Sequence, residues 1–194
     1  MNEVIQNMLT RKSIRTYKKD QVKDEDLKDI IQAAIHAPSG GNSQSWIFTV
    51  LQNNDRLAEL NDQVKETYKN IEVNEKTYRS IVAGKNAAKN AGYSFYYHAP
   101  TLILVSNARE YPNAMADCSV AIENMMLAAH SLGLSSCWIN QLTWFGDIPD
   151  IRKLLSGYGV PDDYMVCGSV ALGYSENDSG KLVPRKEPNV TIIK

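Results

Sequence analysis

The 194-residue chain has no excess of either charge: 21 Lys and Arg against 22 Asp and Glu leave a formal charge of -1. No broad field therefore draws it to nucleic acid or anionic lipid, and any anion has to be held by a local cluster. Long hydrophobic runs are missing too. No apolar tract reaches the roughly 20 residues that cross a bilayer, and the opening Met1-Asn2-Glu3 lacks the basic start and apolar core of a secretion signal. The expectation is a cytoplasmic protein with no membrane or nucleic-acid partner. Cysteine is scarce: Cys118, Cys137 and Cys167 stand far apart among apolar or small neighbours, with no CxxC pair and no Cys/His metal spacing. They read as buried small hydrophobes, and nothing points to structural zinc or an iron-sulfur centre. His36, His98 and His130 have no ligand spacing and no evident Ser or Cys partner, so structural or surface roles are expected. Tandem repeats are absent, and Gly40-Gly41 does not make a Rossmann or P-loop signature.

What is present is an ordinary globular mixture, 43% apolar and 22% charged. It suffices for one substantial core, so residues 1–194 read as a single domain. Over residues 24–37, Leu27, Ile31, Ala34 and Ile35 form a stripe of helical period. Asp24, Glu25 and Asp26 favour its start, and Pro38 ends it. Ile47-Phe48-Thr49-Val50-Leu51 has the branched and aromatic content of a strand, and Asp55 offers a cap for a helix carrying Leu57, Leu60 and Val64. Thr101-Leu102-Ile103-Leu104-Val105 reads as an interior strand.

The strongest helical pattern covers residues 113–132. Cys118, Ile122, Met125, Ala129 and Leu132 make a broad apolar face, and Asp117, Asn124 and Ser131 a narrow polar line. Such a helix needs cover on most sides, in a core or a dimer interface. Gly133 ends it by accepting a left-handed conformation. Ser136-Cys137-Trp138-Ile139 suggests a strand, Asn140-Gln141 a polar turn, residues 150–155 a short helix, and residues 164–172 another strand. Gly168 and Gly173 permit close backbone approach there. The interleaving of helices and strands is that of an α+β protein.

Two segments stand apart. Residues 61–98 mix recurrent charges with Tyr68, Tyr78, Tyr93, Tyr96 and Tyr97, which suits a helical excursion or lid better than core sheet. Residues 175–194 form a polar C-terminal arm that ends in an apolar patch, Val190 to Ile193, explained by packing as an edge strand or on a second subunit.

Three stretches carry polar chemistry. Arg11-Lys12-Ser13-Ile14-Arg15 offers three cations and a hydroxyl suited to a phosphate, although such a run in isolation is usually a solvated face; Arg185-Lys186 could join it only through the fold. In Pro38-Ser39-Gly40-Gly41-Asn42-Ser43-Gln44-Ser45-Trp46, Asn42 and Gln44 can read the edge of a polar heterocycle, while a plain turn with a buried Trp explains the same composition. Trp138, Ile139, Asn140 and Gln141 could border the same pocket, or simply connect strand to helix.

Taken in order over nearly the whole chain, these stretches resemble the nitroreductase family, as do Asp117-Cys118-Ser119-Val120-Ala121-Ile122-Glu123-Asn124, Leu127-Ala128-Ala129, Gly133-Leu134, Val170-Ala171-Leu172-Gly173-Tyr174 and Pro184-Arg185-Lys186. The resemblance implies a central, mostly antiparallel sheet flanked by helices in an intertwined homodimer, with FMN at the subunit interface. It implies Arg11, Lys12 and Ser13 around phosphate and ribityl chain, and Arg185 and Lys186 completing the phosphate cradle. Arg15 and Gln44 join the same cofactor-binding set. Pro38, Ser39, Gly40 and Asn42 would come from the opposite subunit, and Trp138, Ile139, Asn140 and Gln141 would run beside the isoalloxazine.

Two departures stand out. Trp138-Ile139-Asn140-Gln141 replaces the Pro-Ile-Glu-Gly of several relatives, removing a carboxylate, and Gln44-Ser45-Trp46 replaces Gln-Pro-Trp. The implied activity is a ping-pong transfer from NADH or NADPH to a small planar nitroaromatic or quinone acceptor, which the tyrosines of residues 61–98 could stack. No residue need be strictly catalytic. Dehalogenation or enoyl reduction on the same scaffold, and non-catalytic FMN binding, are the rival readings.

Overall fold

A computed structural model describes residues 1–177 and 184–194. Four strands, β1 (Ile47–Leu51), β2 (Thr101–Ala108), β3 (Ser135–Ile139) and β4 (Tyr164–Gly173), form one sheet in the order β1-β2-β4-β3, with every neighbouring pair antiparallel. Residues 1–177 also supply seven α-helices: α1 (Glu3–Thr10), α2 (Asp24–Ile35), α3 (Asn54–Asn70), α4 (Arg79–Ala87), α5 (Ala114–Ser131), α6 (Gln141–Phe145) and α7 (Pro149–Gly157). This is the α+β arrangement of antiparallel sheet and flanking helices that the sequence implies.

The two central strands are apolar on both faces because helices cover both. Leu102 and Leu104 of β2 and Ala171 of β4 pack with Leu57, Leu60, Val64 and Tyr68 of α3 and with Ile151 of α7. Ile103 and Val105, with Val170 and Leu172, pack instead against α2 and α5 through Ile30, Ala34, Ala121, Ile122 and Met125. The strand period of two sends alternate side chains to opposite layers, so a strand covered twice reads as a continuous hydrophobic run. Gly168 lets the layers close: a Cβ there would stand 2.7 Å from Ile122 Cδ1 and 3.0 Å from Trp138 Nε1.

Several elements depart from the sequence reading. Asn53, not Asp55, caps α3, its side-chain oxygen accepting from Arg56 N at 3.0 Å. Residues 61–70 complete α3 with Val64 and Tyr68 inside the core, and Phe95 and Tyr96 are also buried. Tyr68 and Tyr96 therefore serve packing rather than a stacking platform. In contrast, α4 buries none of its residues. Asn140-Gln141 opens a helix, α6, where a polar turn is expected. Helix α1, which the sequence reading passes over, is capped by Asn2 and leaves Val4, Ile5, Met8 and Leu9 exposed.

Candidate functional site

Between α1 and α2 the chain runs as an extended strap beside the ends of β3 and β4. Ser13 pairs with Ser136, Ile14 N donates to the Ser136 carbonyl at 3.0 Å, and Lys18 N donates to the Tyr174 carbonyl at 2.8 Å. The strap separates Arg11 and Arg15 by roughly 13 Å if extended, four residues at about 3.3 Å each. Each cation enters a different cavity.

The first cavity, about 230 Å³, is lined by Arg11, Lys12, His130, Ser135, Ser136 and Ser175 among others, and no carboxylate faces it among the described residues. Arg11 Nε and Nη1 are buried without a hydrogen-bond partner; the Arg11 ion pair is a long 3.7 Å contact from Nε to Glu123. Buried guanidinium donors without acceptors are costly, and an anion in this cavity would relieve that cost.

The second cavity, about 570 Å³, is lined by Arg15, by Trp138, Ile139, Asn140 and Gln141, by Trp144, and by residues of α4 and the segment after it, including Tyr93, Tyr97 and His98. It has aromatic walls, and again no carboxylate lines it among the described residues. The Arg15 guanidinium lies 5.8 Å from the centre of the Tyr97 ring. Trp138 Nε1 donates to Asn140 Oδ1 at 2.8 Å, which orients the Asn140 amide and leaves its NH2 for another acceptor. The hydroxyls of Tyr68 and of Tyr93, a lining residue, are both buried. Burial raises the pKa of both, so they stay protonated donors at neutral pH.

Residues 38–44 lie elsewhere. Their 3-10 turn, Gly40–Asn42, places Gly41, Asn42 and Gln44 in the left-handed region with φ of 57°, 57° and 48°. Gly40 N donates to both oxygens of the buried Asp117 at 3.2 and 3.1 Å; the Tyr111 hydroxyl sits 2.9 Å from the same carboxylate and 3.0 Å from the Gly40 carbonyl. Gln44 N donates to Ser39 Oγ at 3.1 Å, and Gln44 Nε2 to Asn42 Oδ1 at 3.0 Å. Pro38 enters this turn after α2.

One chain thus brings together Arg11, Lys12, Ser13 and Arg15 with Trp138, Ile139, Asn140 and Gln141, along one strap and its two cavities. Pro38, Ser39, Gly40, Asn42 and Gln44 line neither cavity, and Arg185 and Lys186 are exposed and line neither. Three contributors escape the sequence reading. His130 and the Ser135-Ser136 pair reach the anion cavity only through the fold, and Asp117, read as part of a polar line, is the buried anchor of the turn. A carboxylate in the first turn of a largely apolar helix was the available signal for Asp117.

Residues 8–174 match the nitroreductase family. A nitroreductase with bound FMN from Bacteroides fragilis NCTC 9343 superposes with a TM-score of 0.87 at 38% identity, covering 100% of both chains. A second FMN-bound nitroreductase, from Desulfitobacterium hafniense DCB-2, gives 0.83 at 28% identity and the same full coverage. Among curated proteins, one from Archaeoglobus fulgidus, assigned by name to the NADH dehydrogenase/NAD(P)H nitroreductases, is 31% identical over 92% of this chain and 88% of its own length. The α+β fold and its matches define a flavoprotein scaffold of the nitroreductase type. The chain belongs to the nitroreductase family.

Proposed function

We propose that this protein is an FMN-dependent oxidoreductase that passes reducing equivalents from NADH or NADPH to nitroaromatic or quinone-type acceptors. The observation that carries the reading is the strap with a cation at each end: Arg11, with buried unpaired donors in a small anion cavity, and Arg15 in a wide aromatic one. Arg11, Lys12 and Ser13 would hold phosphate and ribityl groups. Arg15, Trp138, Ile139, Asn140 and Gln141 would lie beside the ring, and the Asn140 amide held by Trp138 would present a donor to it.

FMN held by these residues would supply the redox chemistry that links the nicotinamide to the acceptor. The protein's share is placement and electrostatics. A fixed guanidinium at Arg15, with no carboxylate in the cavity wall, favours negative charge gained on reduction. A nicotinamide and a planar acceptor that use the same open cavity must take turns, which is ping-pong kinetics.

The site is completed by a second copy of the chain in this reading. The exposed apolar residues of α1, together with Met115, Val120 and Leu132 on α5, need cover. A homodimer would supply it and would bring Pro38, Ser39, Gly40, Asn42 and Gln44 of one subunit to the cavities of the other. Arg185 and Lys186 would close on the phosphate, residues 61–98 would border the acceptor, and the location would be cytoplasmic.

The test is an anaerobic titration of the FMN-loaded protein with NADH and NADPH, followed by addition of a nitroaromatic or a quinone. Bleaching and recovery of flavin absorbance are expected. Failure to oxidise either nicotinamide with any such acceptor overturns the reading.

A further inference from the structure

We propose that His130 is a third cationic ligand of the anion cavity, joining Arg11 and Lys12 around the cofactor's phosphate and taking up a proton as that phosphate enters. The proposal rests on the FMN reading above and concerns a residue that no motif of the chain points to.

His130 lies in the last turn of α5 and lines the 230 Å³ cavity with Arg11 and Lys12. Its ring is held by a neighbour. Thr10 Oγ1 is 2.9 Å from His130 Nε2 and also 2.8 Å from the Gln6 carbonyl, which can only accept. Donation of the single hydroxyl proton to Gln6 leaves Oγ1 to accept from His130, the arrangement in which Nε2 carries the ring hydrogen. In the neutral ring, Nδ1 is then a lone pair, which a phosphate oxygen cannot pair with. Protonation turns it into a donor and adds a positive charge beside Arg11 and Lys12.

Without an anion, burial first, then Arg11 and Lys12, hold the imidazole below its ordinary pKa. The other neighbours leave that balance to the cavity itself. Helix α1 contributes the uncharged Gln6, Asn7 and Thr10, the turn after α5 contributes Gly133 and Leu134, the start of β3 contributes Ser135 and Ser136, and Ser175 and Asn177 complete the lining, with Glu176 exposed between them. On α5 itself, Glu123 is turned toward Arg11. A phosphate dianion offsets both cations and reverses the bias, raising the pKa in the complex. Between the free and bound pKa values, binding takes up a proton and affinity falls as pH rises; below both the ring is charged in either state, and above both it is neutral in either state.

The experiment measures Kd for FMN by flavin fluorescence quenching with the full chain and with H130Q, from about pH 6 to about pH 8.5, bracketing the ordinary histidine range. Riboflavin serves as the phosphate-free probe. The ratio of Kd for H130Q to Kd for wild type cancels the phosphate's own ionisation near pH ~6. It is expected to be roughly tenfold at the acid end, typical of one charge-assisted hydrogen bond, and to approach one at the alkaline end. Riboflavin should show no such ratio. A ratio that stays constant with pH, or equal for riboflavin, overturns the role of His130 while leaving the flavin reading intact. A wild-type protein that binds no FMN at any pH overturns both. Calorimetry of wild type alone, in buffers of different ionisation enthalpy, provides a check independent of the variant: net proton uptake on FMN binding is expected above pH ~7, and none overturns the proposal.

Discussion

The backbone N–H of Gly40 donates to the carboxylate of Asp117 across 77 residues of sequence, at 3.1 Å from the nearer oxygen. This bond holds the left-handed turn to the start of α5. Asp117 is buried, and its other partners are the hydroxyls of Tyr111 and Ser43. D117A is expected to strand those donors and destabilise the protein by about 2 kcal/mol, the cost of unpaired buried polar groups. Urea denaturation checks the loss. Because the turn belongs to the dimeric FMN site in our reading, the variant should also lose flavin on gel filtration while wild type retains it.

At Gly168 of β4, Ile122 of α5 and Trp138 of the neighbouring strand β3 come close to the backbone. G168A places a methyl group 2.7 Å from Ile122 Cδ1 and 3.0 Å from the Trp138 indole nitrogen. Overpacking of this kind costs about 1–3 kcal/mol. The expected result is a lower urea midpoint with an unchanged slope, and a displaced Trp138 that weakens flavin binding more than the stability loss alone accounts for.

Arg15 is the one permanently charged group in the wall of the larger cavity among the described residues. R15Q keeps a hydrogen-bonding side chain but removes the charge. The reduced flavin should lose its electrostatic support, so the two-electron potential falls by about 30 mV or more, the equivalent of at least one tenfold change in the equilibrium constant. Spectroscopic potentiometry against a reference dye reads it directly; an unchanged potential would place Arg15 away from the ring.

Arg109 and Asp147 form a two-bond clamp between the end of β2 and the turn after α6, with Arg109 Nη1 2.9 Å from Asp147 Oδ2. The hydrogen bond from Arg109 holds the Asp147 carboxyl below its ordinary pKa. Its contribution is therefore present above the ordinary carboxylate range and is lost as pH falls through the depressed folded value. The Asp147 side chain is largely exposed, so D147N should cost no more than about 1 kcal/mol at neutral pH. That difference should shrink in urea melts as pH is taken down through and below the ordinary carboxylate range.

Much of the architecture could be read from local pattern. The runs at β1 and β2, the β4 segment and the long α5 helix declare themselves because burial on one or two faces imposes a periodicity that survives in a single sequence. Where the pattern is ambiguous the reading loses accuracy. The sequence shows Leu57, Leu60 and Val64 as a helical stripe, but the charges of Asp62, Lys65, Glu66 and Lys69 mask that Tyr68 continues the same buried face of α3. Helix α6 is too short to show a period, and α1 hides its apolar residues in no core of this chain. Arg11 and Arg15 were legible as parts of one cationic run, but their assignment to two cavities was not, since it depends on the pairing of Ser13 with Ser136.

By itself the sequence determined the α+β class, the main strands and helices, and the polar stretches from which a flavin site could be assembled, because each follows from periodicity, backbone preference or ordered motifs along the chain. Only the tertiary structure decided that His130 stands beside Arg11, that Asp117 anchors Gly40, and that Tyr68 lies in the core. The first two join residues far apart in sequence through the packing of α5 against the strap and the turn, and the third follows from α3 packing on the opposite face of the sheet; no spacing along the chain encodes them.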